Sequence, residues 1–293
     1  MNDIKKTVLI TGCSSGIGLA CAKMLLSKGW TVFATARTQP DLEKLENMGF
    51  ISIPLELKIS ESIRQAVKTT FERAGGTLSA LVNNSGYGQP GAVEDLSRSA
   101  LQDQFEANVF GLVELTNYLI PVFRKQGHGR IVNVSSIAGR IALPFHGAYS
   151  ASKFALEAIT DALRIELKGS GIYVSLVEPG PIFSSFRKNA LENFEQTVKM
   201  KDSRHEKIYE KKVSLNKAGK SENLHSRFML PPEAAAKKIV RALESKKPKT
   251  RYLVTLPAYA GALLKRFMPD SVMDWIMTPH GIRKAEIEVK DKG

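Results

Sequence analysis

The sequence predicts an α/β fold in which a parallel sheet is covered by helices on both of its faces. Continuously apolar, β-branched runs alternate with longer amphipathic segments up to about residue 182, which is typical of buried parallel strands and their covering helices. A glycine cluster directly after the first run is a further indication. Ligands of such doubly wound sheets bind at the carboxyl ends of the strands, so we expect the functional site there.

The elements of this pattern follow one another in a regular order. The predicted strands are 7–11, 31–35, 51–55, 80–83, 131–135 and 174–178, and the helices between them include 17–28, 60–74, 101–125 and 148–168. In the segment 17–28 the apolar residues Ile17, Cys21, Met24 and Leu25 share one helical face. Each strand is therefore followed by a helix that can cover the sheet.

The composition is that of an ordinary soluble protein. The chain has 293 residues, of which 43% are hydrophobic and 24% charged, and this suits a single domain spanning 1–293 with its own core. Only two cysteines occur, Cys13 and Cys21, and no Cys/His spacing indicates a metal, so we expect no metal site and a reducing compartment. Without a signal sequence or an apolar run of roughly 20 residues, a cytoplasmic location is predicted.

The net charge of +13 is unevenly distributed. Residues 1–182 carry 18 basic and 16 acidic side chains, whereas residues 183–293 carry 24 and 13. The excess can be a solvated surface that attracts an anionic cofactor, or it can support contact with an anionic membrane surface or an acidic partner. Nucleic acid is not expected as a partner, because no recognition helix, zinc finger or stacking aromatic motif is present.

The last third of the chain departs from the alternating pattern. Residues 183–230 are polar and basic with short helical hints such as 189–201, and they are predicted to form a substrate lid. A helix from 231 to 244 and a final strand at 251–255 follow. The segment 256–279 is apolar and aromatic with two prolines, and it can cover the site, form a subunit contact or lie in a membrane interface.

The glycine cluster predicts a phosphate-binding loop. Residues 12–18 read Gly-Cys-Ser-Ser-Gly-Ile-Gly between the first strand and the first helix. Glycines allow a tight turn and close approach of a phosphate to the backbone, and the helix N-terminus supplies free N–H groups. The spacing is Gly-x-x-x-Gly-x-Gly, and no Lys-Ser/Thr follows, so a P-loop of an NTPase is excluded.

The end of the second strand indicates which dinucleotide binds. An acidic residue that would hold the ribose 2′-hydroxyl of NAD is missing there, and Arg37 stands at that end. A guanidinium can pair with a 2′-phosphate. The sequence therefore favours NADP(H) over NAD as the cofactor.

An ordered set of motifs resembles the short-chain dehydrogenase/reductase family. These motifs are 11–18, Asn83-Asn84-Ser85-Gly86, Asn108, Ser136, Tyr149-x-x-x-Lys153 and Pro179-Gly180-Pro181-Ile182. The resemblance covers about residues 5–182, and the segment 251–277 looks like the tail of the hydroxysteroid- and retinol-dehydrogenase-like branch, in which similar bacterial members are NADP-dependent aldehyde reductases. It implies a Rossmann-type fold of about seven strands and a homodimer or homotetramer.

The resemblance also implies a set of cofactor contacts. They are Gly12, Ser14, Ser15, Gly16, Ile17, Gly18, Arg37, Glu56, Leu57, Asn83, Ser85, Gly86, Tyr149, Lys153, Pro179, Gly180 and Ile182. Glu56-Leu57 replaces the usual Asp-Val after the third strand, and Ser85 replaces the usual alanine. Asn83 can instead be structural, tying strands together.

Four residues are predicted to carry the chemistry. Tyr149 and Lys153 are four apart on a predicted helix and share one face. A phenol with a pKa near 10 is a poor acid–base group at neutral pH, and we expect the ammonium, together with the positive nicotinamide of the oxidised complex, to lower that pKa. By the family resemblance, Ser136 holds the substrate oxygen and Asn108 distorts its helix and fixes a water molecule beside Lys153.

The predicted activity is hydride transfer between the nicotinamide and a carbonyl or alcohol, with reduction of hydrophobic aldehydes or ketones, including steroid- or retinal-like ones. Substrate contacts are expected from Ser136, Tyr149, Phe145 and Phe183, in a wall that also includes Tyr87, Leu143, His146 and Phe186. Two alternatives are a catalytically silent NADP-binding sensor or scaffold, and a basic protein that associates with membranes. Because such silent proteins often lack the tyrosine or the lysine, the presence of both favours the enzyme.

Overall fold

The chain folds around one seven-stranded sheet. The computed structural model describes residues 6–201, 203–217, 228–279 and 282. Its strands are β1 (Thr7–Ile10), β2 (Thr31–Ala36), β3 (Ile51–Pro54), β4 (Ala80–Asn83), β5 (Gly129–Val134), β6 (Ile172–Glu178) and β7 (Arg251–Leu253). All pair in parallel, in the order β3-β2-β1-β4-β5-β6-β7. The predicted doubly wound sheet is confirmed.

Helices connect the strands and continue beyond the sheet. They are α1 (Gly16–Leu26), α2 (Gln39–Asn47), α3 (Ser60–Ala74), α4 (Arg98–Phe105), α5 (Gly111–Gln126), α6 (Gly147–Glu166), α7 (Phe186–Thr197), α8 (Glu206–Lys217), α9 (Pro232–Glu244), α10 (Leu256–Phe267) and α11 (Asp270–Met277). None of the described helices is long and apolar enough to span a membrane.

Both faces of the sheet are covered by apolar clusters, as a parallel sheet requires. On one face Cys21 and Leu25 of α1 and Ile239 of α9 belong to the same buried cluster as β1 and β2 side chains. On the other face Leu115 and Phe123 of α5 pack in the cluster that includes residues of α3. These two layers hold the sheet rigidly, so the carboxyl ends of its strands form a fixed edge.

The strand order places a crevice at that edge. From β1 the chain builds outward through β2 and β3, and it then crosses back to add β4 on the other side of β1. The connections after β1 and β4 therefore lead away from each other, which is the arrangement that opens a ligand crevice in doubly wound sheets. The glycine loop and the Asn83–Gly86 segment follow β1 and β4 at this point.

The predicted helix 101–125 is interrupted in the structure. Between α4 and α5 the five residues Glu106–Phe110 form a π-helical turn. Single π turns insert an extra residue into a helix and are frequent at functional sites. The apolar periodicity continues through such a turn, which is why the sequence pattern predicts one long helix.

The predicted lid contains regular structure. Helices α7 and α8 occupy much of 183–230, and a parallel bridge joins Ile182 to Leu230 at its base. Residue 202 and residues 218–227 of the predicted lid lie outside the described residues. The apolar segment 256–279 forms two short helices, α10 and α11, that meet near Pro269.

Candidate active site

The glycine loop has the geometry of an anion cradle. Gly12 and Gly16 adopt φ values of +72° and +58°, a region that favours glycine. A Cβ atom on Gly18 would lie 2.1 Å from the carbonyl oxygen of Gly12, so the loop and the first turn of α1 touch backbone to backbone. The N-cap Ser15 makes no side-chain capping bond, and the N–H groups of the first turn point out of α1.

Asn84 ties this loop to the end of β4. Its Nδ2 donates to the carbonyl oxygens of Thr11 and Gly12 at 2.9 and 3.0 Å. The hydroxyl of Thr11 accepts hydrogen bonds from the backbone N–H groups of Asn84 and Ser85, both at 2.9 Å. The set of predicted contacts omits Asn84, although the asparagine pair in the sequence was a visible signal.

Asn83 has the structural role that the sequence left open. Its Nδ2 donates to Thr116 of α5 and to Asn133 of β5, both at 2.9 Å, and the residue is buried. The side chain therefore joins β4 to its neighbours and is directed into the core. Gly86, three residues further on, lies where a Cβ atom would come within 3.0 Å of Asn108 Oδ1 and 3.7 Å of Lys153 Nζ.

Arg37 and Glu56 meet at the far end of the crevice. Arg37 Nη1 lies 3.7 Å from Glu56 Oε2, and the Arg37 side chain is 71% exposed. Glu56 also accepts from the backbone N–H of Lys58 at 3.1 Å, whereas Leu57 is buried. The guanidinium is thus held beside the end of β2 but stays accessible to an anion.

Asn108 occupies the centre of the π-helical turn and is fully buried. Its Oδ1 accepts from the Tyr87 N–H at 3.1 Å, and its Nδ2 donates to the Tyr87 carbonyl at 3.0 Å and to the Ser152 hydroxyl at 3.1 Å. The predicted distortion of the helix is present. The amide clamps the segment after β4 against α6.

Ser136 and Tyr149 are brought together across 13 residues. Ser136 follows β5; its Oγ accepts from the Ala138 N–H at 3.1 Å and donates to the carbonyl oxygen of Pro179 at 3.4 Å. Tyr149 lies in the first turn of α6, and Ser136 is near enough to its phenol to lower the phenol pKa. A serine hydroxyl and a phenol that lie side by side can both bind one substrate oxygen.

Lys153 lies one helical turn after Tyr149. Its Nζ donates to the carbonyl oxygen of Val134 at 2.9 Å and lies 5.9 Å from the centre of the Tyr149 ring. The lysine is only 4% exposed. Burial lowers the pKa of Lys153 to about 8, and the charge of Glu157 opposes that shift.

The expected lowering of the phenol pKa is not produced by the protein groups. Burial raises the pKa of Tyr149 to about 12, and the nearby Ser136 hydroxyl acts in the opposite direction. The prediction overestimated the effect of Lys153 on the phenol pKa. The Lys153 ammonium is itself desolvated, and it donates its hydrogen bond to the carbonyl oxygen of Val134. The prediction also counted the positive charge of an oxidised nicotinamide, which is not a group of the chain.

Comparisons with known proteins show the family of the chain. The sequence profile of the family described as short chain dehydrogenase matches residues 6–195. The uncharacterized oxidoreductase YbbO of Escherichia coli is 42% identical over 274 residues, which is 94% of each chain. The chain belongs to the short-chain dehydrogenase/reductase family. It is therefore an oxidoreductase that uses a nicotinamide cofactor.

Other relatives in the family carry more specific names. The NADPH-dependent 3-dehydrocapnine reductase of Ornithobacterium rhinotracheale is 33% identical and covers 92% of this chain and 94% of its own. Retinol dehydrogenase 8 of Bos taurus is 37% identical over 66% of this chain and 64% of its own.

Solved structures of the family share the fold over the whole chain. A short-chain dehydrogenase from Streptomyces avermitilis superposes with a TM-score of 0.75 at 30% identity and covers 100% of this chain and 99% of its own. A Burkholderia cenocepacia enzyme in complex with NADP has a TM-score of 0.72 at 22% identity, with coverage of 94% and 98%.

The residues around the crevice of this family member fit a dinucleotide. The positive φ angles of Gly12 and Gly16 and the backbone contact of Gly18 leave room for a pyrophosphate at the start of α1. The Ser15 hydroxyl lies 2.8 Å from that of Ser185, so the segment after β6 closes over the loop. A Cβ atom on Gly180 would lie 2.1 Å from Thr255 Oγ1, which keeps the Pro179–Ile182 backbone close to β7.

The aromatic wall differs from the predicted one. Phe186 of α7 packs against Tyr149 with 5.4 Å between ring centres, and a Cβ atom on Gly88 would be 2.9 Å from Phe186. The sequence analysis placed Phe186 in the wall of the substrate site but did not predict that it contacts the substrate. Phe183 was predicted to contact the substrate, and it is 55% exposed at the start of the predicted lid.

Phe145 belongs to a buried apolar cluster that includes Phe194 of α7 and Tyr209 of α8. Its ring is 8% exposed and contacts His205 and Tyr209 at centroid distances of 5.2 and 5.9 Å. It also adopts a φ of +62°, which is uncommon for a bulky residue. Phe145 therefore packs against α8, and its contact with a substrate stays a prediction.

Proposed function

We propose that the chain is an NADP(H)-dependent reductase of hydrophobic aldehydes or ketones. The observation that carries the proposal is that Ser136 and Tyr149 come together at the carboxyl edge of the sheet, with Lys153 Nζ 5.9 Å from the centre of the Tyr149 ring. A bound nicotinamide supplies the hydride in this reaction. The residues of the chain bind and orient the carbonyl and provide the proton.

The catalytic residues have separate tasks in this proposal. The hydroxyl of Ser136 and the phenol of Tyr149 hold the substrate oxygen, and Tyr149 donates the proton that the resulting alkoxide needs. Lys153 places a positive charge beside the phenol and binds the nicotinamide ribose. Asn108 fixes the segment 86–87 against α6 and, through a water molecule, supports Lys153.

Arg37 supports the choice of NADP(H). Its exposed guanidinium at the end of β2 can form charge-assisted hydrogen bonds with a 2′-phosphate. The other proposed contacts are Gly12, Ser14, Ser15, Gly16, Ile17, Gly18, Glu56, Leu57, Ser85, Gly86, Pro179, Gly180 and Ile182, with Asn83 acting through the core. The NADPH-dependent relative is consistent with this assignment.

The apolar character of the site supports a hydrophobic substrate. Phe186 lies against Tyr149, and Phe183 is exposed at the entrance to the lid. Gly261 of α10 packs on Ile137 and Ile141, so the tail covers the loop that carries Ser136. The name of the retinol dehydrogenase relative is consistent with an apolar substrate.

A substrate screen tests the proposed function. Oxidation of NADPH and of NADH is followed side by side with aliphatic, aromatic, steroid and retinal-like carbonyl compounds. We expect turnover of apolar aldehydes or ketones with a preference for NADPH. NADPH binding in calorimetry without turnover on this panel would contradict the proposal and favour a sensor or scaffold.

The same proposal includes a homodimer or homotetramer. Exposed apolar side chains lie on α5 and α6, and Phe110 and Tyr118 also line an open groove with Ile159. Burying such a surface against a second copy is favourable. Light scattering after size exclusion tests it, and a monomer at micromolar concentration would contradict it.

The outer face of the tail is the proposed site of any peripheral membrane contact. Large apolar side chains are exposed along α10 and α11, including Leu263, Phe267 and Trp275. Co-sedimentation with anionic vesicles at low and high salt tests this contact. If the protein does not bind the vesicles at low salt, the membrane contact is contradicted, and the tail then only covers the site.

A further inference from the structure

A cluster of charged side chains, of which Glu157 and Glu178 are buried, lies near Lys153. Arg251 of β7 donates from Nη1 to Glu157 Oε2 at 2.8 Å and from Nη2 to Asp161 Oδ2 at 2.5 Å. Arg251 Nη1 also lies 3.5 Å from Glu178 Oε1 of β6. The other carboxylate oxygen, Glu178 Oε2, lies 3.2 Å from Arg140 Nη1. The reaction proposed above uses none of these five charged residues.

Glu157 is the member of this cluster that is nearest to Lys153 along α6. The two residues are four positions apart on one helical face, and they are 7% and 4% exposed. Side chains on a helix lean toward its N-terminus, so the carboxylate leans toward the turn that carries Lys153. A Cβ atom on Gly139 would lie 3.0 Å from Glu157 Cγ and 2.8 Å from Ser135 Oγ, so the glutamate packs against the segment that carries Ser136.

A buried ammonium needs a compensating negative charge. The hydrogen-bond acceptor of Lys153 is the neutral carbonyl oxygen of Val134. Desolvation lowers the pKa of Lys153 to about 8, and Glu157 is the charged group that raises it. In a partly desolvated site a charge one helical turn away interacts far more strongly than it would in water.

Arg251 favours the ionised form of Glu157. Burial and the neighbouring Glu178 raise the pKa of Glu157 to about 7, while Ser135, Arg251 and Arg140 oppose the shift. Without the guanidinium the carboxyl group would hold its proton to a higher pH. The charged and titratable groups of this region, by element, are Tyr149, Lys153, Asp161 and Arg164 on α6, Glu178 on β6, Arg251 on β7 and Arg140 after β5.

We propose that Glu157, whose carboxylate is paired with Arg251 of β7, is a positioning residue that keeps Lys153 charged in the active site. The importance of that charge for catalysis rests on the proposed function. The charge coupling itself does not, because it is a property of the protein groups alone.

An NMR titration of Lys153 tests the coupling directly. Lysine side chains are labelled with ¹³C at Cε, and the Lys153 signal is assigned by its loss in the Lys153→Met variant. In Glu157→Gln we expect the pKa of Lys153 to fall, by about one unit for the loss of a nearby opposite charge. Arg251→Gln should move it in the same direction, because Glu157 then becomes protonated.

Two variants serve as controls in this titration. Asp161→Asn removes another partner of Arg251, but it lies two helical turns from Lys153 and should leave the Lys153 titration in place. Glu157→Asp retains the carboxylate and should recover part of the wild-type value. Should Glu157→Gln fail to fold, as judged by circular dichroism, Arg251→Gln decides.

The proposal would be overturned if Lys153 kept its wild-type pKa in the folded Glu157→Gln or Arg251→Gln variant. An equal shift in Asp161→Asn would also overturn it, since the effect would then reflect general disruption of the cluster. If the wild type reduces a carbonyl, the alkaline limb of its kcat–pH profile should move to lower pH in Glu157→Gln. A wild type without turnover would count against the proposed function, and the NMR titration would still decide the coupling.

Discussion

Arg37 Nη1 lies 3.7 Å from Glu56 Oε2, so two residues expected to bind different parts of the cofactor are paired with each other. The pair joins the end of β2 to the segment after β3. Both side chains reach solvent, and such exposed pairs contribute little to stability, typically about 0–1 kcal/mol. A phosphate can therefore replace Glu56 as the partner of Arg37 at little cost.

Replacing Arg37 by alanine should weaken NADPH binding selectively. A charge-assisted hydrogen bond contributes about 1.5–3 kcal/mol, which corresponds to about a 10- to 100-fold increase in Kd. NADH lacks the 2′-phosphate, and its Kd should change little. Calorimetry of both cofactors measures this, with Arg64→Ala on the surface of α3 as the control. Equal losses for NADPH and NADH would argue against a 2′-phosphate contact.

Tyr149→Phe should abolish most of the reductase activity. The substitution removes the hydroxyl that donates the proton in the proposed reaction. Loss of a general acid typically lowers kcat by about 10²- to 10⁴-fold. Steady-state assays with NADPH and the best carbonyl substrate measure it, and calorimetry checks that cofactor binding persists.

The control for this variant is Tyr118→Phe, which removes an exposed hydroxyl of α5. It should retain full activity. Turnover by Tyr149→Phe at the wild-type rate would show that another group supplies the proton.

Tyr209→Phe should destabilise the fold through the lid. The Tyr209 side chain is 1% exposed, its hydroxyl donates to Asp95 Oδ2 at 2.5 Å, and it accepts from the Ala92 N–H at 2.8 Å. Leaving these groups without their partner costs about 1–3 kcal/mol. Urea unfolding gives the change in the free energy of unfolding, and Tyr259→Phe on the exposed face of α10 is the control. Equal stabilities of both variants would show that this contact does not anchor α8.

Glu157 should make stability fall as the pH rises toward neutrality. Its pKa is raised from 4.5 to about 7, so between these values the folded chain binds more protons than the unfolded chain. The stabilisation that protonated Glu157 provides is therefore present below pH 4.5 and lost as the pH approaches 7. A shift of this size corresponds to about 3 kcal/mol.

Urea unfolding at pH 5 and pH 7 measures this dependence. Glu157→Gln should show a smaller loss of stability over this interval than the wild type, whereas Glu61→Gln on the surface of α3 should behave like the wild type. An identical pH dependence in Glu157→Gln would contradict the raised pKa.

Much of the fold was predictable because the pattern is local. Six predicted strands coincide with β1 to β6 within two residues at each end, and the predicted helix 60–74 coincides with α3. Continuous apolar runs and helical periodicity report burial directly, which is why they were reliable. The apolar pattern predicted one continuous helix through the π-helical turn at Asn108, and only the family resemblance predicted a distortion there.

The candidate site also has features that the sequence predicted and features that it did not. The residue types of the glycine loop and of Tyr149-x-x-x-Lys153 indicated their chemistry without a structure. The position of Phe145 could not be predicted, because its contacts with His205 and Tyr209 join residues some sixty positions apart. The direction of the Tyr149 pKa could not be predicted either, because desolvation depends on what surrounds the ring.

The sequence by itself determined the order of strands and helices, the proposed phosphate-binding loop and the identity of the proposed catalytic residues. These depend on residue type and on short spacings along the chain. Only the tertiary structure decided that Asn83 belongs to the core, that Phe145 packs against α8 and that Arg251 of the last strand reaches Glu157 near Lys153. Burial and long-range pairing set the charge and direction of a side chain, and both arise only when distant segments pack together.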